Sequence, residues 1–176
     1  VAWALDLPRR PAVAASDAKN ALLVADPVDD LPAARRESAR IGAALASRGF
    51  AVRRLEGVAA SHDEVLRALA APDLALFHYA GHGLFEGRDG WQSGLPLAAG
   101  GSLTLGDVMA AERVPRRVVL SGCDTARADD GDFAAGLGLG QAFVIVGAEE
   151  VVASARPVED RAAAALVAEL LSFEGS

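Results

Sequence analysis

The chain has 176 residues, enough for one domain that buries roughly 70% of its unfolded surface without disulfides or metals. Its formal net charge of -7 and its short, scattered basic pairs argue against a partner recognised through a phosphate backbone, so no nucleic acid is expected to bind directly. One cysteine excludes an internal disulfide and a multi-cysteine zinc site, and no apolar run reaches the roughly 18 to 20 residues a membrane-spanning helix needs; a reducing, cytoplasmic setting away from membranes is expected.

Taken in chain order, residues 1–19 carry Pro8 and Pro11 without a sustained period and read as an entry segment, and the missing initiator Met reads as the mark of an excised part of a longer protein. The run Ala21-Leu22-Leu23-Val24-Ala25, closed by Asp26-Pro27, predicts a strand buried on both faces. Leu31 to Arg48 then shows helical spacing at Ile41, Ala44 and Leu45 and stops at Gly49. The unit repeats with a strand over Phe50 to Leu55 and a helix opened by Ser61 and Glu64, the spacing of a capping box. Leu74 to Tyr79 is the next buried strand. From Leu84 to Ser102 the sequence is rich in Gly, Asp and Ser and predicts a long loop that borders a cleft and moves before substrate binds. A short helix over Leu105 to Ala111, a buried strand at Val118-Val119-Leu120, a helix over Phe133 to Val146, a strand over Glu150 to Ala153 and a helix over Val158 to Leu171 complete the pattern. Alternating strands and helices predict an α/β fold with a mostly parallel sheet and helices on both faces.

In such a sheet, ligands gather at the carboxyl ends of the strands. Two ends carry chemistry. Phe77-His78-Tyr79-Ala80-Gly81-His82-Gly83 brings a histidine between glycines, and Val118-Val119-Leu120-Ser121-Gly122-Cys123-Asp124 brings the only cysteine. On neighbouring strands, about 4.8 Å apart, His82 could assist ionisation of Cys123 and protonate a departing amine, while the amides of Gly83 and Cys123 could hold an oxyanion. The alternative is a buried structural thiol beside a structural Gly-His-Gly turn. A glutamine amidotransferase would also use a cysteine but places its histidine after it, and here no histidine follows Cys123. His78 reads as a packed strand residue and His62 as solvent-facing. Gly136, Gly138 and Gly140 follow no strand and read as helix packing rather than a dinucleotide loop. With no ligand cluster, no metal or organic cofactor is expected. Asp26 and Asp124 lie at the same strand ends and could select a basic P1 side chain, yet opening the Asp-Pro turn and capping the following helix suit them better.

The stretch Leu76-Phe77-His78-Tyr79-Ala80-Gly81-His82-Gly83-Leu84-Phe85 resembles the His motif of CHAT domains, relatives of caspases and separases, and Val118 to Ala126 resembles their Cys motif. Ser93-Gly94-Leu95, Leu139-Gly140-Gln141-Ala142-Phe143, Val151-Val152-Ala153-Ser154 and Ala155-Arg156-Pro157-Val158-Glu159-Asp160 are similar to further segments of that family, over about residues 20–171. The resemblance implies a caspase-like three-layer sandwich and a cysteine endopeptidase with His82 and Cys123 as catalytic dyad and Gly83 and Cys123 as oxyanion hole. It implies a protein or peptide substrate and regulatory domains in the same polypeptide or a partner, in bacterial defence or signalling. A scaffold module that keeps the fold without the activity is the alternative. Arg156 stands where the family often has a tryptophan at the substrate wall, and Pro157 stands where separases hold an acidic residue for a basic P1 side chain, so a P1 that is apolar or small is expected. The family continues with another helix and a last strand, which 20-176 would lack.

Overall fold

A computed structural model describes residues 18–84, 93–121 and 138–153. Its centre is a parallel sheet built from β1 (Asn20–Ala25), β2 (Ala51–Glu56), β3 (Leu74–Ala80), β6 (Arg117–Ser121) and β7 (Glu150–Ala153), in the order β2-β1-β3-β6-β7. Between β3 and β6 lies a small antiparallel pair, β4 (Gly94–Pro96) with β5 (Ser102–Thr104). The helices are α1 (Pro32–Ser47), α2 (His62–Leu69), α3 (Leu105–Ala110) and α4 (Leu139–Val146).

Apolar residues run unbroken along β1 because both of its faces are covered. Leu22 and Val24 pack with Phe77, Tyr79, Val118 and Leu120 against the side carrying α2, α3 and α4. Ala21 and Leu23 face the other way, onto Ile41 and Leu45 of α1 with Leu76 and Val119. Three layers result: α1, the sheet, and the remaining helices. This is the caspase-like α/β sandwich with a mostly parallel sheet.

Several boundaries follow the sequence closely. Pro32 opens α1, where its missing N–H costs nothing, and Gly49, at φ +84°, turns the chain into β2. Three expectations need correction. Ser61 does precede α2, but its side chain makes no cap bond. Glu64 instead pairs with Arg53 and Arg67, so an ion pair to the neighbouring strand outcompetes the capping box. The helix expected from Phe133 cannot pass through Gly138, which is extended and serves as the N-cap of α4; residues 133–137 lie outside the described ones. The third correction concerns the expected loop over 84–102. Its second half is ordered: Leu95 and Leu97 on one side and Leu103 on the other are buried in the core beneath α2 and α3, and Leu97 donates to the Gly101 carbonyl across the turn. The alternation Leu95, Leu97, then Leu103, Leu105 around Ala-Ala-Gly-Gly-Ser is a hairpin pattern that the surrounding glycines and serines obscure.

A true capping box sits elsewhere, at the start of α3. Thr104 Oγ1 accepts from the Asp107 amide at 3.1 Å, and the Asp107 carboxylate accepts from the Thr104 amide at 2.8 Å. His62 Nε2 lies 3.2 Å from the same carboxylate, so His62 is a half-buried partner of α3 and not simply solvent-facing. Burial works to raise the Asp107 carboxyl, but the hydrogen bonds from Thr104 and His62 prevail and hold it below the usual carboxylate range. That stability is present above the unfolded pKa and is lost as pH falls through the lowered folded value. In urea titrations at neutral pH, Thr104→Ala should cost about 1 kcal/mol, whereas Ser61→Ala should stay within about 0.5 kcal/mol of the parent. Equal losses would contradict the assignment of caps.

Candidate active site

The carboxyl edge of the sheet is organised by Asp26. It ends β1 at φ +47°, a left-handed conformation that Asp tolerates better than most residues, and its side chain is 1% exposed. Its amide donates to the Ala80 carbonyl at 2.8 Å, and its carbonyl accepts from Gly57 at 3.3 Å, tying the ends of β3 and β2 to β1. Oδ1 accepts from the amides of Asp30 and Leu31, each at 2.8 Å, while Oδ2 lies 2.7 Å from Arg35 Nε. These bonds are the turn role: the carboxylate closes the Asp-Pro loop and anchors the start of α1. Arg35 also pairs with Asp29.

The next strand end places His82. Tyr79 is fully buried, and its hydroxyl lies 2.8 Å from the carbonyls of both His82 and Pro96, so it fastens the turn after β3 to the β4–β5 hairpin. Burial, with Asp30 and Asp26 adding to it, drives the Tyr79 phenol far above its ordinary pKa, and it stays a donor at any working pH. Gly81 is required here because a Cβ would come within 2.6 Å of that hydroxyl oxygen. Beyond His82, Leu84 exchanges two backbone hydrogen bonds of 3.0 Å with Gly94. His82 and Gly83 are thus held between two anchors. No hydrogen bond among the described residues takes the Gly83 N–H.

The imidazole of His82 is partly exposed, and its Nε2 lies 3.0 and 3.1 Å from the two carboxylate oxygens of Asp30. Sequence reasoning passed over Asp30 in favour of Asp26, which adjoins the strand directly. The same strand-end rule reaches Asp30 once the loop is seen to fold back over the sheet edge. His78 is fully buried, as expected of a packed strand residue. Its Nε2 sits 3.1 Å from Glu37 Oε1 of α1 and 3.4 Å from Ser121 Oγ of β6. Glu37 carries no signal in the sequence beyond an acidic residue on the inner face of a helix.

The second strand end is reached through pairing. β3 and β6 are hydrogen-bonded neighbours, with Ala80 opposite Ser121. His82 lies two residues beyond Ala80 and Cys123 two residues beyond Ser121 in sequence. Cys123, Asp124 and Arg156 themselves lie outside the described residues. Among the described residues no group of three or more His, Cys, Asp or Glu side chains forms a metal-binding cluster, and no helix is long and apolar enough to cross a membrane.

A family model described as CHAT domain matches residues 2–172, nearly the whole chain. The chain belongs to the CHAT family. No curated protein matches it significantly. The caspase-like sandwich is the fold that membership entails, and the match includes the stretch ahead of Asn20 that reads as an entry segment from sequence. For this CHAT domain, replacing Tyr79 with Phe should cost about 1 kcal/mol by urea denaturation, because one hydroxyl serves two carbonyls that half-buried backbone cannot easily re-satisfy. An unchanged midpoint would show that the turn holds His82 without it.

Proposed function

We propose that this CHAT domain is a cysteine endopeptidase in which His82 and Cys123 act together on a protein or peptide substrate. The observation that carries the reading is the register of β3 against β6, which pairs Ala80 with Ser121 and so gives both residues the same two-residue offset past adjacent strand ends. A parallel sheet collects such residues at one edge. Family membership supports the same reading, since caspase-like folds often carry peptidases of this type.

The chemistry follows from the groups. His82 takes the thiol proton, and the Cys123 thiolate attacks the scissile carbonyl to form a tetrahedral intermediate. The Gly83 amide, fixed by the Tyr79 and Leu84 anchors, and the Cys123 amide donate to the oxyanion, a type of contact worth about 2.7 to 4 kcal/mol in rate. The imidazolium then protonates the leaving amine, and water, deprotonated by the same ring, hydrolyses the thioester. These steps call on no metal or organic cofactor.

For substrate choice, the Asp26 carboxylate is buried against Arg35 and the loop amides, which supports a P1 side chain that is not strictly basic and leaves Asp124 and Arg156 as the remaining charged candidates from the sequence. A cytoplasmic setting is supported by the lone thiol, and control by neighbouring domains or a partner protein by the family resemblance.

Cys123→Ala and His82→Ala should each abolish cleavage of a fluorogenic peptide library while leaving the circular dichroism spectrum and melting curve unchanged. Near-parental turnover by either variant would refute the dyad. A folded, alkylation-competent parent that cleaves nothing, even with its full-length context, would favour the scaffold alternative. Cleavage confined to sites after Arg or Lys would overturn the P1 assignment.

A further inference from the structure

The loop between β1 and α1 carries three aspartates within five residues, Asp26, Asp29 and Asp30, and the fold divides them between two cationic or basic partners. Arg35 takes the first two. Asp30 alone is directed to His82, with both carboxylate oxygens within 3.1 Å of Nε2. The placement is not left to a free surface loop. The Asp30 amide is itself bonded to the buried carboxylate of Asp26, whose own backbone N–H donates to the Ala80 carbonyl of β3, two residues before His82. One hydrogen-bonded path therefore sets the backbone of both partners.

We propose that Asp30 is a positioning residue for His82: its carboxylate accepts the Nε2–H, holds the ring in one orientation, and leaves Nδ1 as the basic nitrogen. The inference rests on the peptidase reading above and deepens it by adding a third member. In a neutral imidazole only one ring nitrogen carries the proton, so a carboxylate at Nε2 selects the tautomer in which Nδ1 accepts. When Nδ1 takes a proton, the ring becomes a cation beside an anion, and the pair stabilises the imidazolium form as the acidic member of other catalytic triads does. Among the described residues, Asp26 and Asp29 both pair with Arg35, Tyr79 remains neutral, and Asp30 is the carboxylate in contact with His82. No proton passes to Asp30; it orients and stabilises.

The chain contains a single cysteine, so the rate of alkylation by iodoacetamide as a function of pH reads the Cys123 thiolate without a substrate and without interference. The full 176-residue chain, Asp30→Ala, Asp30→Asn and His82→Ala are compared. The parent should alkylate at a midpoint well below the ordinary thiol value of about 8.5, and His82→Ala should return the midpoint to that value. Asp30→Ala should raise the midpoint by about one pH unit, roughly a tenfold loss of thiolate at acid pH, and Asp30→Asn, which keeps an acceptor but not the charge, should fall between. Melting curves of the Asp30 variants should match the parent, because the side chain is more than half exposed and its backbone bond to Asp26 survives truncation. A midpoint unchanged from the parent in both Asp30 variants, with a raised one in His82→Ala, overturns the role of Asp30 and leaves the dyad standing. A midpoint unchanged from the parent in His82→Ala removes the dyad, and Asp30's role with it.

Discussion

The ion pair between Asp26 and Arg35 is the constraint on which the functional edge depends. A carboxylate that is 1% exposed would be costly without partners, and here two amides bond to Oδ1 while the Arg35 guanidinium lies 2.7 Å from Oδ2 as an ion pair, outside hydrogen-bond geometry. Because its backbone also bonds to β3 and to the turn after β2, a single residue sets the relative positions of three strand ends and the first turn of α1. The left-handed φ it adopts is the local cost of reversing the chain at once after β1. The geometry offered to His82 is therefore a property of the β1–α1 connection as much as of β3.

Beneath that edge a second polar contact crosses the layers. His78, Glu37 and Ser121 join β3, α1 and β6 inside an otherwise apolar face lined by Leu23, Leu76 and Val119. Apolar packing alone would tolerate sliding of α1 along the sheet, whereas a buried hydrogen bond is satisfied at one register only. That register places Arg35, two residues before Glu37 on the same helix, within reach of Asp26. Packing and polar specificity thus converge on one placement of α1.

Much of the architecture was legible because buried parallel strands leave short unbroken apolar runs. β1, β3, β6 and β7 all fall within a residue or two of such runs, and Gly49 marks a real left-handed stop. What escaped was set by longer-range competition. Ser61 and Glu64 have the spacing of a capping box, but spacing cannot show that Arg53 on the adjacent strand takes the glutamate. The β4–β5 hairpin hid in a Gly- and Ser-rich stretch because three-residue strands offer too few alternations to stand out. At the site, His82 was evident from its flanking glycines, while Asp30 and Tyr79 acquire meaning only once the loop fold and the hydroxyl's two carbonyl partners are known.

Among the described residues, β2 forms one margin of the five-stranded sheet. Arg53 and Arg54 stand next to each other on it, on opposite faces, and each is held out by a glutamate, Glu64 and Glu56. A second sheet approaching that margin would have to strip water from two guanidinium groups and break both pairs. The charged border therefore discourages edge-to-edge stacking of copies, and it confines growth of the sheet away from this side.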